Sequence, residues 1–433
     1  MSNLRFAPDF RIEINGKPVP ALLRASTSSV SLQTSFDGSD RVELTLVNEG
    51  LRWLDHELLR LDNSLALYMG YAPDPLEKMF AGEIIAQSPT FPSGGSPMLT
   101  VSAQDRREHL QSNKPVRWFA VPIPSLGNTP VPDPVVASLV AIEHFLIPIF
   151  DPIGAALSVL IGGVQVAVAA TGDSQTMQKI IRKQLGESNL DFLKRLSQEN
   201  GWELFIDHSG PRGGWQLRFF SLADHLAPDI VLKYGQSLVD FTPRITKVGQ
   251  IVSISTRIWV PSIKTAFTIT AGWDWDRNSL DVNVSAGYSL AGSDGDLPGG
   301  GMSAANQSSG CEPQGQSASS QKSKPEVMLL DEPLSADSAP RVLLSKLLTK
   351  LNQRLTGSGS VVGDPRIRPG TVLQLEGLGR QFGGLYRVTS ATHTLDGSGY
   401  RTTFDVRKEI WFGSLPAFEQ GATGLRLQGQ RIF

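Results

Sequence analysis

Alternating apolar and polar residues dominate the first hundred positions. FRIEI at 10–14 puts Phe10, Ile12 and Ile14 on one face and then meets Asn15-Gly16. Asn-Gly between alternating runs is the strongest short hairpin signal. SVSLQTSF at 29–36 runs into Asp37-Gly38, and RVELTLVN at 41–48 returns with Val42, Leu44 and Leu46 on one side. SLALYMGY and MLTVSAQD repeat the pattern. A period of two is the strand period, so this part predicts a compact antiparallel β unit, a barrel or small sandwich.

The pattern changes after residue 118. A proline-rich stretch leads into VVASLVAIEHFLIPIF and then IGAALSVLIGGVQVAVAA at 153–170, eighteen positions without a formal charge. As a helix that run would be about 27 Å long, near the roughly 30 Å of a bilayer core. Gly154, Gly162, Gly163 and several alanines weaken it, and no lysine or arginine anchors either end. It reads as a segment buried in an assembly or against a partner, with membrane contact as the alternative. Helical spacing returns over 174–200, with Ser188 or Asn189 as the cap and Asn200-Gly201 as the stop. Lys179, Arg182, Lys183, Lys194 and Arg195 then line a helix face. Strands resume at WELFID and WQLRFF. Residues 288–325 are rich in Gly, Ser, Ala and Gln and read as a loop or linker. A helix is expected over 338–355, followed by strands at TVLQLEGLG, GLYRVTSATHTL and YRTTFDVRKEI.

Two stretches echo each other. FAGEIIAQSPTF precedes MLTVSAQDR, and FGGLYRVTSATHTL precedes YRTTFDVRK. Both open Phe-x-Gly, at Phe80 to Gly82 and Phe382 to Gly384, and both follow another alternating strand. Such a glycine marks close backbone approach or a bend. The pattern predicts two similar β units, so that three chains in a ring would present six.

Composition narrows the chemistry. The 433 residues, 40% hydrophobic and 19% charged with net charge −2, describe an ordinary globular chain with no basic field for nucleic acid. The one cysteine, Cys311, excludes an internal disulfide and a cysteine-built zinc site. The opening MSNLRFAPDF has no signal-peptide pattern. Six histidines are scattered without metal-ligand spacing, and His393 reads as a packed strand residue. GLGRQFGG departs from the dinucleotide fingerprint, and Asp274 and Asp276 read as solvated acids beside aromatic residues. No catalytic, metal or cofactor-binding residue is expected.

Further motifs carry a family resemblance. ESNLDFLKRLSQENGWELFID, with Ser188, Asp191, Phe192, Leu193, Arg195, Leu196, Glu199, Gly201 and Trp202, resembles a segment of contractile-tail hub proteins. LKYGQSLVDFTPRIT resembles the strand that follows in that family. GDPRIRPGTVLQLEGLGRQFGGLYRVTSATHTLDGSGYRTTF, with Pro369, Gly370, Gly377, Gly384, Tyr386, His393 and Tyr400, resembles its C-terminal signature. With Pro8, Gly16, FAGEI and SAQDR, the chain resembles the phage late control gene D family, the baseplate hubs of contractile tails and related injection systems.

The resemblance implies a mainly β fold with α insertions: two similar antiparallel β-barrel hub domains and a helical or mixed middle domain. The expected boundaries are 1–118 for the first barrel and 119–230 for the middle domain, with its apolar segment 135–171. The second barrel is expected at 231–410, interrupted by 288–325, and a tail at 411–433. It further implies a non-enzymatic homotrimer adapting a sixfold tail tube above to a threefold spike below. A separate spike protein, other baseplate components and a tape measure or cargo in the channel are the expected partners. No cofactor is implied. Assembly in the bacterial cytoplasm and incorporation into a phage tail or injection particle follow. Phe80, Gly82, Phe382, Gly384, Tyr386 and Tyr400 are expected to build the barrels. Phe192, Leu196 and Trp202 should dock the middle helix, and Arg426 and Arg431 are interface candidates. A hub-associated cell-wall hydrolase and a membrane-contacting adaptor are the alternatives.

Overall fold

The computed structural model describes residues 7–112, 114–122, 128–152, 155, 156, 159, 181–221, 225–245 and 352–409, and the backbone alone of 123, 127, 251–260, 265–274, 279–287, 326–330, 425–427 and 430–431. The expected apolar run 153–170, low-complexity segment 288–325 and helix 338–355 lie largely outside these residues. No described helix is long and apolar enough to cross a membrane.

Strands β1 (Ala7–Ile14) and β2 (Lys17–Pro18) close the predicted hairpin, with Asn15 and Gly16 at φ 51° and 73°. A short helix α1 (Ala21–Ser26) leads to β3 (Thr27–Ser35) and β4 (Arg41–Val47). Then come β5 (Ser64–Ala72), β6 (Glu77–Thr90) and β7 (Met98–Gln104). Their inward positions meet in one core that includes Ile12, Val30, Leu44, Leu67, Phe80 and Val101. Alternation therefore decides which face is buried.

The middle part holds β8 (Val116–Ile123), β9 (Gly127–Pro130), α2 (Asp133–Glu143), β10 (Ile147–Phe150) and β11 (Arg182–Leu185). It continues through α3 (Asn189–Asn200), β12 (Trp202–Asp207) and β13 (Gln216–Ser221). Two three-stranded sheets, β10-β13-β12 and β11-β8-β9, share a second core with both helices. The helix expected over 174–200 is thus shorter. Residues 182–185 form a strand because their backbone pairs with β8 and the Arg182 guanidinium turns inward to Asp133 at 2.7 Å and Glu199 at 2.5 Å. Arg182 and Lys183 do not line a helix face. Ser188 caps α3 by accepting from the Asp191 amide, and Gly201 ends it at φ 69°.

The last part begins with β14 (Ile230–Lys233) and β15 (Leu238–Ile245). Strands β16 (Ile251–Val260), β17 (Thr265–Asp274), β18 (Ser279–Gly287) and β19 (Glu326–Leu330) follow. With β24 (Leu425–Leu427) and β25 (Gln430–Arg431) they form a separate six-stranded sheet. Between β19 and β24 the chain makes β20 (Leu355–Val362), β21 (Val372–Glu376), β22 (Gly384–Asp396) and β23 (Gly399–Arg407). These four, with β14 and β15, surround a third core around Leu355, Leu373, Tyr386 and Phe404.

The two expected barrels are not closed. Among the described residues, one thirteen-stranded sheet runs β15-β20-β23-β22-β3-β4-β7-β6-β5-β1-β2, with β14 and β21 branching from β22. In the first half β1 turns back into β2 and α1 instead of reaching β3, so the ladder curls around its core and stays open.

Five strands of each half nevertheless match. The order β3-β4-β7-β6-β5 in the first corresponds to β15-β20-β23-β22-β21 in the second, antiparallel throughout and in the same chain order. Register matches as well. A bulge separates Thr27–Leu46 from Ser29–Thr45, as another separates Leu238–Val361 from Asp240–Ser360. A second separates Ile84–Ala103 from Ala86–Ser102, as its counterpart separates Val388–Val406 from Ser390–Asp405. Even the corner bonds agree. The Asp62 and Ile84 amides donate to the Ile84 and Asn63 carbonyls, and the Gly370 and Val388 amides to the Val388 and Thr371 carbonyls. This register sets Gly82 against Tyr386 and Phe80 against Gly384. The Phe-x-Gly echo is therefore two positions out of step, although the modules it pointed to are there.

Candidate functional site

The three cores meet at a junction held by two buried ionic clips. In the first, Asp105 caps a 3-10 turn, and its carboxylate also accepts from the Asp40 amide at 2.7 Å. Arg107, on that turn, reaches Asp40 at 2.8 Å and Asp105 at 2.7 Å. Burial would lower the Arg107 pKa, but Asp105 and Asp40 together hold it above the ordinary value. His208, at the end of β12, adds the middle module. Its Nδ1 accepts from the Ala81 amide at 3.2 Å, so Nε2 carries the proton donated to Asp40 Oδ2 at 2.8 Å.

The turn after His208 fits closely against β6. A Cβ on Gly214 would lie 2.6 Å from that of Ala81. Lys78 donates to the Gly213 carbonyl at 3.1 Å, and the Arg106 guanidinium stacks 3.5 Å from the centre of the Trp215 ring. Ligand atoms of Asp40, Asp105 and His208 come within 4.8 Å of one another, the spacing of a cation site. Arg107 already supplies the positive charge between both carboxylates, so the cluster is an ion-pair lock.

The second clip joins the last module to the middle one. Arg407 pairs with Glu203 of β12 at 2.7 Å and with Glu409 at 3.2 Å. Fully buried Arg387 reaches Glu409 at 2.9 Å and donates to the carbonyls of Gly370 and His225 at 3.2 and 2.8 Å. Burial outweighs Glu409 and lowers the Arg387 pKa. Phe36 of the first half meets Phe205 in a tilted contact and stacks on Phe220, at centroid distances of 5.6 and 6.4 Å, and Arg387 and Arg407 lie over Phe220 and Phe36.

A cleft of about 730 Å³ opens beside these clips, bordered by Asp40, Met79, Phe205, Arg218 and Arg368. Its charges are paired internally, Arg218 with Asp151 and Asp207 and Arg368 with Glu77, while the His225 ring lies 2.9 Å from the Asp229 carboxylate. The arrangement fixes three modules in one orientation.

The expected site residues fall into different cores. Phe80 is buried in the first, its ring 5.1 Å from that of His208. Gly82 is required by close approach, since a Cβ there would lie 2.1 Å from the Gln104 carbonyl oxygen. Gly384 instead has φ 115°. Tyr386 is buried in the third core, where burial pushes its pKa up to about 12, and Phe382 packs half-buried beside it. Tyr400 crosses to the first core, its ring tilted against that of Tyr71 at 5.7 Å, and bonds His393 at 3.0 Å. His393 is fully buried between Tyr400, Thr402 and the Ile367 carbonyl. Phe192, Leu196 and Trp202 lie together in the middle core. Arg426 and Arg431 oppose each other across the β24–β25 ladder.

Asp40, Arg107, His208, Arg387 and Glu409 were missed as linking residues. Buried ion pairs have no sequence period, and Asp105-Arg106-Arg107 reads as a solvated turn.

No protein-family model matches the chain, and no curated protein matches its sequence. Solved structures do match in shape. The 43 kDa tail protein of prophage MuSo2 from Shewanella oneidensis aligns over 94% of this chain and 100% of its own, with TM-score 0.58 and 11% identity. A tail protein from Neisseria meningitidis MC58 aligns over 95% and 99%, with TM-score 0.55 and 9% identity. An Escherichia coli type VI secretion component, described as structurally similar to T4 phage tail proteins gp27 and gp5, aligns over 94% and 79%, with TM-score 0.50 and 11% identity. The chain has the fold of these tail proteins over nearly its whole length. The likeness is one of fold, and no model assigns the chain to the late control gene D family.

Proposed function

We propose that the chain is the structural hub of a phage baseplate or contractile injection system, three copies forming a ring that adapts a sixfold tail tube to a threefold spike. The observation that carries this reading is the duplicated five-strand unit with both bulges in the same register. Two such units per chain let a closed threefold ring offer six like surfaces. Residues 1–118 and 231–410 are the hub units and 119–230 the middle domain, with the ionic clips holding their relative pose. The role is non-enzymatic. The tail tube, a separate spike protein and other baseplate components are the partners, with tape measure or cargo in the channel.

Native mass spectrometry and particle averaging of the purified full chain test this. A trimeric ring with six similar lobes is expected. A stable monomer or dimer, or a trimer whose two units face differently, overturns it.

A further inference from the structure

We propose that in this ring β6 of one copy pairs with β15 of the next, in the register of the joint between β22 and β3 within one chain. The proposal rests on the hub reading, because the partner is a second copy.

Within the chain, β22 meets β3 from Ser390–Ser35 to Leu395–Val30. Among the described residues this is the one ladder between the halves. The duplicated register carries β22 onto β6 and β3 onto β15. Ala391 then corresponds to Gln87, and Thr34 to Ile245. The equivalent joint between copies pairs Gln87 with Ile245, Ser88 with Arg244, Pro89 with Pro243, Thr90 with Thr242 and Phe91 with Phe241.

Among the described residues of the single chain, both edges are open. β5 covers β6 only as far as Glu83, while β7 borders its other side through Thr90. Among the described residues β15 is the end strand of the large sheet, paired along its length with β20, and beyond a bridge from Leu238 to Tyr234 its other edge is free. Ser88, Thr90, Phe91, Arg244 and Ile245 are exposed. A cavity of about 580 Å³ lies against Ala86 and Gln87, walled by Leu54 and His56. In the second half the matching space is where β3 enters: the Phe36 amide donates to the Thr389 carbonyl at 3.2 Å.

The same alternation gives Thr34, Leu32 and Val30 the remaining bonds of the internal joint. At the equivalent of the His393–Leu32 pair, both open edges carry proline. Proline on an edge strand turns its missing donor outward and keeps free edges from pairing indiscriminately. The joint between copies therefore lacks bonds at its centre and relies on the pairs on either side. It forms where ring closure aligns the edges, while a lone chain stays unpaired.

Cysteine pairing reads the register. Thr90 and Thr242 correspond to Thr394 and Ser31, a non-bonded antiparallel pair, whose Cα atoms are about 4.5 Å apart and within disulfide reach. The full-length Thr90→Cys/Thr242→Cys chain, with Cys311→Ser, is expected to give a covalent trimer on mild oxidation, reverting with reductant. Thr90→Cys/Arg244→Cys is a diagonal pair about 7–8 Å apart and is expected to cross-link at least about tenfold less. A trimer by mass that fails to cross-link, or equal cross-linking in both variants, overturns the joint and leaves the hub reading standing. A chain that stays monomeric overturns both.

Discussion

His208 Nε2 sits 2.8 Å from Asp40 Oδ2, and that bond fastens the middle module to the first half of the large sheet. Both side chains are buried, and the other imidazole nitrogen takes the Ala81 amide. Removing one member leaves its partners without water to replace it. His208→Ala is expected to destabilise the chain by about 2–4 kcal/mol, from an unpaired amide and a weakened carboxylate. Asp40→Ala strands part of the Arg107 charge and should cost about 3–5 kcal/mol. Denaturant unfolding of the full chain measures both. Losses below about 0.5 kcal/mol would show that the clip is ornamental.

Burial lowers the pKa of His393 to about 4, only partly opposed by the Ile367 carbonyl bond, with Arg368 lowering it further. The unfolded chain, with its histidine near 6.5, binds this proton more readily than the folded one. Stability from this residue is therefore complete above about pH 6.5 and is lost progressively as pH falls towards 4, by about 3 kcal/mol in all. His393→Gln should remove that part of the pH dependence between 6.5 and 4. An unchanged slope in unfolding titrations would count against it.

Gly82 and Gly384 are glycines for different reasons, and alanine at each should separate them. At Gly82 the new methyl meets backbone 2.1 Å away, which no rotamer relieves. A cost of about 3 kcal/mol or more is expected from overpacking. At Gly384 the nearest atom is the flexible Lys408 Nζ at 3.2 Å, so the cost is mainly that of φ 115°, about 1–3 kcal/mol. Thermal unfolding in the order Gly384→Ala above Gly82→Ala is the expected outcome; the reverse order would refute the assignment.

The non-enzymatic reading also makes a biochemical prediction. Purified chain incubated with peptidoglycan sacculi should release no soluble sugar or peptide above a heat-treated control. Release that disappears on substituting an Asp or Glu at the junction cleft would establish the hydrolase alternative instead.

Much of the β structure was legible because strand burial has a period of two. Ile12, Leu44 and Leu67 announce their inward faces, and Asn15-Gly16 announces its turn. Ser188 and Gly201 bracket a helix for equally local reasons. Arg182 misled because its strand is selected by pairing with Phe119 and by two distant acids. The doubled module was visible, but its alignment was not. Bulges at Ile84/Ala86 and Val388/Ser390 set the true register, and a bulge leaves no mark in composition. The junction was hidden for a related reason: Arg107 and Glu409 look like surface residues until the fold encloses them.

The bond from Thr34 Oγ1 to the Ala391 carbonyl spans 357 positions of sequence. Strand β3 is thus completed only by a strand made more than 350 residues later. At about 5–20 residues per second, the waiting time is roughly 20–70 s. For that interval the nascent chain carries an unfinished border, open to any passing extended peptide. Its birth on the ribosome is therefore the stage most exposed to mispairing.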